Sequence, residues 1–239
     1  MNDLTLLYYT DNTLEEKTRK KIANNLIKVT GNRYPIISVS QKPIKLGKNI
    51  CVGEIGKSKY NAYKQILIGA DEVRTKYIAC IDDDTLYSKE HFEFRPDRDT
   101  FSYQTNYWFA QPEIDYYWRI HNMEKRGGMW GCICTKDILI KHLSKRYKTY
   151  NSDPFANHTK VPSLVWGEPG IHEQSFDMEN KNIKHSSPNP CVIFIHPLSM
   201  GYNQLKKFYR RYGYPLPEDK CTTLKQFGNI NKLFNNYFK

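Results

Sequence analysis

The segment Lys76-Tyr77-Ile78-Ala79-Cys80-Ile81-Asp82-Asp83-Asp84 constrains this chain more than any other. A short apolar run rich in β-formers stops at three consecutive carboxylates. It predicts a buried strand that delivers its acids to the rim of a sheet. In open α/β sheets, ligands sit in the crevice beyond the strand C-termini. Three acids crowded there repel one another unless a cation neutralises them, and hard oxygen donors suit Mg²⁺ or Mn²⁺. An ion of that kind most often holds a phosphate or diphosphate. A solvated acidic turn closing the strand is the plainer alternative.

Two β-α units precede this strand. Leu4 to Thr10 reads as a first strand, with Asp11 or Thr13 placed to cap the helix that follows. In that helix Leu14, Thr18, Ile22 and Leu26 form an i, i+4 ladder opposite a basic side, and Gly31-Asn32 stops it. Tyr34 to Ser40 reads as a second strand, followed by a lysine-, proline- and glycine-rich loop through Lys57. A helix over Lys59 to Ala70 leads into the acid-tipped strand. The β-α-β-α-β order predicts a parallel sheet. Beyond Tyr87 the pattern loosens into loops and short strands through Trp118. A helix near Lys136 to Tyr147, a long loop from Asn151 to Gly170 and a late strand over Cys191 to Ile195 follow.

With 239 residues, 39% hydrophobic and 14% aromatic, the chain has the makings of one sizeable core. Its formal charge of +11 favours polyanionic partners such as nucleic acid, anionic headgroups or phosphorylated substrates. Lysine drift in an AT-rich genome would give the same excess. No apolar run reaches the roughly 18 residues of a membrane span, and Met1 to Thr10 has no signal-peptide pattern. The six cysteines are scattered, several inside apolar runs, so a reduced, cytoplasmic protein is expected. In the tail, Leu205, Phe208, Tyr209 and Tyr212 share one helical arc, and Lys206, Lys207, Arg210 and Arg211 lie opposite.

Other enzyme classes also place acids at a strand end. A phosphatase of the haloacid dehalogenase type would need Asp-x-Asp-x-Thr/Val after its first strand, whereas Thr85 falls one position early here. Two-metal nucleases need further acids from distant segments. Strand, motif and upstream units together resemble a nucleotide-sugar glycosyltransferase of the GT-A fold with its Asp-x-Asp motif. That resemblance implies an α/β protein: a Rossmann-type mixed sheet flanked by helices over residues 1–200, with a helical extension over 201–239. Residues 1–87 would form the nucleotide-binding half and 88–200 the acceptor half.

The resemblance also implies roles. Asp84 would bind the metal directly, Asp82 would hold the ribose or reach the metal through water, and Asp83 would lie beside them at the donor. His196, ending Ile193-Phe194-Ile195-His196, would complete the metal shell. Tyr9, Thr10 and Asp11 would hold the base and ribose, Lys59 a phosphate and Asn61 the base. In Val165-Trp166-Gly167-Glu168-Pro169-Gly170-Ile171-His172-Glu173 and on to Asp177, an acid would activate the acceptor hydroxyl. Glu173 at a helix start is first, then Asp177, then Glu168. Gly128 and Trp130 would cradle sugar and acceptor, with Trp166 nearby. The family pattern includes a Glu-Asp pair before the final helix that this sequence lacks.

The implied donor is a nucleotide sugar, a UDP-sugar first, with Mn²⁺ or Mg²⁺. In size and charge the chain resembles bacteriophage enzymes that glycosylate hydroxymethylated pyrimidines in DNA, and Lys206, Lys207, Arg210 and Arg211 would then hold the duplex backbone. A surface-polysaccharide or lipopolysaccharide acceptor comes next, and a protein acceptor third. The non-enzymatic alternative is a nucleic-acid-binding module with structural acids.

Overall fold

The computed structural model describes residues 3–111, 117–119, 127–153, 167–171, 173–196 and 221–230. Along the chain it shows β1 (Leu4–Thr10), α1 (Glu16–Thr30), β2 (Ile36–Ser40), β3 (Lys48–Cys51), α2 (Lys59–Asp71), β4 (Tyr77–Asp82) and β5 (Thr85–Leu86). There follow β6 (Phe101–Gln104), β7 (Tyr107–Ala110), β8 (Tyr117–Trp118), β9 (Cys132–Thr135), α3 (Lys136–Thr149), β10 (Asn182–His185), β11 (Cys191–Phe194) and β12 (Cys221–Thr222). One mixed sheet has the order β10-β6-β9-β4-β1-β2-β3, and a second has the order β12-β8-β7-β11-β5.

Every residue of β1 is buried, as a central strand covered on both faces requires. It pairs in parallel with β2 and β4, the arrangement that the β-α-β-α-β order predicts. β3 corrects the expected loop over this region: it lies parallel to β2 after only the short link 41–47. Gly47 makes that tight return feasible. Its φ is +57°, and a Cβ there would stand 2.2 Å from the Ile36 carbonyl oxygen.

Helix α1 buries Thr18, Ile22, Leu26 and Thr30, continuing the ladder from buried Leu14, and stops at left-handed Gly31. It begins at Glu16, so neither Asp11 nor Thr13 caps it. Asp11 Oδ1 instead accepts the backbone N–H of Thr13 at 2.8 Å and closes a local turn. Helix α2 is capped by Ser58, whose hydroxyl accepts the Asn61 backbone N–H at 3.1 Å. It lies close against the sheet at Gly69, where a Cβ would come 2.3 Å from Leu7 Cδ1 and 2.8 Å from Val39 Cγ2. Alternation along β1 sends Tyr8 to the core cluster with Leu26 of α1, and Tyr9 to the cluster with α2 and α3.

The second sheet is assembled from distant short segments: β7 pairs in parallel with β11, and β5 antiparallel with β11. Of the tail, the described residues 221–230 add β12 antiparallel to β8 and bury Phe227 and Ile230 in the cluster that holds Leu14 and Ile22. Lys206, Lys207, Arg210 and Arg211 lie outside the described residues. His91 and His185 stack in the interior, ring centroids 5.4 Å apart. Burial lowers both, His185 to about 4. Among the described residues, no helix is long and apolar enough to cross a membrane.

Candidate functional site

The three acids occupy the turn joining β4 of the first sheet to β5 of the second. They therefore sit on the seam between the sheets, and the Asp84 carbonyl accepts the Phe194 N–H at 2.7 Å. The β5–β11 ladder carries the chain directly on to Ile195 and His196. The outcome is a cavity of about 330 Å³ lined by Tyr9, Thr10, Asp11, Thr13, Gly56, Lys57, Ser58, Ala62, Gln65, Asp82, Asp83, Asp84 and His196. It lies where the parallel strands β1 and β4 end, the position expected of a ligand crevice.

The acids are not equivalent. Asp82 accepts the Tyr9 hydroxyl at 3.2 Å on Oδ2 and the Asp83 backbone N–H at 2.9 Å on Oδ1. Asp83 is 8% exposed and is held by the Thr10 hydroxyl, which makes it a pin between β1 and the turn. Among the described residues, the Asp84 carboxylate takes only the neighbouring Thr85 hydroxyl, at 3.2 Å. Burial pushes all three up, and the adjacent carboxylates push further: Asp82 well above the carboxylate range, Asp83 and Asp84 to about 7. Among the described residues, the charges of Lys57 and Arg19 do not offset burial and the mutual repulsion of the three carboxylates.

Lys57 is the cation aimed at the cavity. It reaches Asp11 Oδ2 at 3.5 Å, and its charge opposes the rise at Asp84. Lys59, the expected phosphate contact, turns away because Ser58 fixes where α2 starts, and its Nζ lies 3.4 Å from Glu168 Oε1. Asn61 is likewise diverted from a base: its Nδ2 donates to the carbonyls of Ile55 (2.5 Å) and Gly56 (3.2 Å). Gln41 grips the same loop, donating to the Gly56 carbonyl at 2.8 Å and accepting the Gly56 N–H at 3.1 Å.

His196 reaches the cavity wall and is 4% exposed; burial first, then the Lys57 charge, lowers it to about 4. It is thus a neutral imidazole at ordinary pH. Among the described residues no three His, Cys, Asp or Glu side chains form a metal cage by themselves. The oxygen donors of Asp82 and Asp84 nonetheless fit Mg²⁺ or Mn²⁺ in its commoner mode, with one or two carboxylates and the rest of the shell from waters and substrate phosphates.

The expected base moves. Glu173 is fully buried, with Arg146 Nη2 at 2.9 Å and the Gly170 N–H at 2.5 Å on Oε1, Arg146 Nε at 3.3 Å on Oε2, and His142 Nδ1 at 3.1 Å. Burial raises it, but the His142 and Arg146 contacts outweigh that and hold it below its usual value. A carboxylate so enclosed anchors α3 and cannot meet an acceptor. It also precedes only the short 3₁₀ turn Gln174–Phe176, and Asp177 caps that turn in a left-handed conformation on the surface. Glu168 keeps 21% of its side chain exposed. Its Oε2 accepts the Tyr63 hydroxyl and the Met129 N–H, both at 3.1 Å, and its charge acts on Tyr9 beside Asp82. Trp166 and His172 lie outside the described residues.

Tyr87, which sequence reasoning passed over, ties the two halves together. Its buried hydroxyl accepts the Asp82 N–H at 3.0 Å and donates to the Trp130 carbonyl at 2.6 Å. Gly128 lies at the start of that segment, where a Cβ would come 2.5 Å from Trp130 Nε1. The Trp130 ring packs edge-on against Tyr107, centroids 4.7 Å apart.

No known family's pattern matches the chain, and no curated protein matches it. Among solved structures, a glycosyltransferase involved in the glycosylation of the major capsid of PBCV-1 is similar with TM-score 0.49 and 10% identity, over 88% of this chain and 100% of that one. The glycosyltransferase GlyE of Streptococcus pneumoniae TIGR4 is similar with TM-score 0.45 and 12% identity, over 90% of this chain and 52% of that one. The bifunctional IspDF of Campylobacter jejuni is similar with TM-score 0.43 and 12% identity, over 79% of this chain and 50% of that one. The chain therefore spans about half the length of the last two. These are distant likenesses of shape, and a functional reading rests on the site itself.

Proposed function

We propose that the chain is a metal-dependent glycosyltransferase that moves a sugar from a nucleotide-sugar donor, a UDP-sugar first, to an acceptor hydroxyl. One observation carries this reading: uncompensated carboxylates, Lys57 and the tip of β1 line one cavity at the ends of parallel strands. Asp84 and Asp82 would hold Mn²⁺ or Mg²⁺, with His196 flanking them. A divalent ion there would neutralise the acids and the charge that builds on the diphosphate leaving group. Lys57 faces the same phosphates. Tyr9, Thr10 and Asp11 shape the wall for the ribose and base.

In the transfer, the acceptor oxygen attacks the anomeric carbon as the bond from that carbon to the diphosphate oxygen breaks. Glu168 takes the hydroxyl proton, and the nucleoside diphosphate departs with the electron pair. Tyr63 and the Met129 N–H orient the carboxylate for that task. The leading acceptor is a hydroxymethylated pyrimidine in duplex DNA, which the net charge of +11 favours.

A thermal-shift panel of UDP, GDP and CMP and their sugars, with and without Mn²⁺, tests the reading. A metal-dependent rise with UDP and its sugars is expected, because a ligand specific to the folded state stabilises it. No rise with any nucleotide and metal would sink it. Duplex affinity that falls steeply with salt supports the DNA acceptor, and absent binding at low salt removes it.

A further inference from the structure

A second cavity, of about 280 Å³, opens on the α1 face of the first sheet and is lined by Tyr8, Glu16, Arg19, Lys20, Ala23 and the loop 43–46. It is separate from the acid-lined crevice, because Tyr8 and Tyr9 project to opposite faces of β1. Two donors at this cavity lack an acceptor. Among the described residues, the hydroxyl of Tyr8, which is 1% exposed, finds no hydrogen-bond partner, and neither does the buried Nε of Arg19. A buried donor left unmade costs roughly 1–3 kcal/mol, so two such donors on the wall of one cavity favour a ligand that accepts from both.

The charges narrow that ligand's chemistry. Glu16 at the rim is taken by Lys20 at 2.6 Å. Arg19 and the exposed Lys45 remain as positive charges on the wall. The carboxylates of Asp83, Asp82 and Asp84 all act on Tyr8 from the β1 side, and Arg19 acts on Asp83 and on Glu16, so Arg19 and Lys45 must hold an oxyanion against them. Water would satisfy the donors, but only an oxyanion also meets the charges of Arg19 and Lys45. We infer that this cavity is a phosphate-binding site in which Tyr8, Arg19 and Lys45 hold the oxyanion. The phosphate belongs either to a polymer backbone diester or to a free or terminal phosphate. The inference stands independently of the proposed transfer reaction.

The test follows the Arg19 Nε–H resonance of the full chain by NMR, assigned by its loss in Arg19→Gln. Inorganic phosphate, methyl phosphate and dimethyl phosphate are titrated separately against chloride at matched ionic strength. A saturable shift with at least one of them is expected, weakened roughly tenfold in Tyr8→Phe, a change that removes only an unpartnered hydroxyl. Asp84→Asn and Lys57→Ala should retain the shift. Tighter binding of dimethyl phosphate assigns the site to a polymer diester, and tighter binding of the other two to a free or terminal phosphate. No saturable shift, undiminished binding in Tyr8→Phe, or loss of binding in Lys57→Ala would each overturn the inference.

Discussion

Two places in this protein bury carboxylates, and they are opposites. At Glu173 every oxygen is met: Arg146, His142 and a backbone N–H hold the group ionised although it is fully buried. At Asp82, Asp83 and Asp84 the direct partners are hydroxyls and one backbone N–H, the charges of Lys57 and Arg19 act only from a distance, and all three are pushed upward. The contrast separates architecture from chemistry. A buried charge whose partners come from its own chain is part of the frame, whereas a buried charge without them is arranged for something that arrives later.

The sharpest way to break this contrast is the same carboxylate-to-amide change at both places. Asp84→Asn should lower turnover about 10³-fold or more. Without divalent cation at pH 8 it should leave folding stability unchanged or raise it by about 1 kcal/mol, because a repelling charge is gone. Glu173→Gln should do the reverse and lower stability by about 3–5 kcal/mol, since Arg146 loses its counter-charge. Urea unfolding and an initial-rate assay on both variants decide; destabilisation by Asp84→Asn with no loss of rate would erase the distinction.

Acid sharpens the contrast at a third buried site. His185 titrates near 6.5 when unfolded and at about 4 when folded. The unfolded chain therefore takes up the extra proton between those values, and stability from this group is present above pH 6.5 and lost as pH falls toward 4. Relative to His185→Asn, the native chain should lose about 3 kcal/mol across that window; parallel urea midpoints for the two chains would contradict it. The smallest effect belongs to the loop that carries Lys57. Gln41→Ala removes both bonds to Gly56, so donor KM should rise about three- to tenfold with kcat nearly unchanged. An unchanged KM would separate that loop from the donor.

What the sequence revealed follows from where information is local. β1 and α1 were legible because an unbroken apolar run and an i, i+4 ladder are each complete within one segment. The acids were legible because they are contiguous. The second sheet was not, because its strands are two to four residues long and β7 takes its parallel partner from distant Cys191–Phe194. Lys59 alone is named by the sequence reading because the helix start depends on the Ser58 cap, which turns Lys59 toward Glu168 and leaves Lys57 on the cavity wall. The enclosure of Glu173 was not legible, because Arg146, its partner 27 positions earlier, is invisible to local reading.

The Asp84 carbonyl, bonded to Phe194, makes the acid turn the mechanical joint of two β-layers. Any scissoring of those layers therefore widens or narrows the gap between the carboxylates and the His196 imidazole. For the proposed cation site, a substitution that slackens the Thr85–Ile193 rungs should weaken manganese affinity without altering a single donor atom.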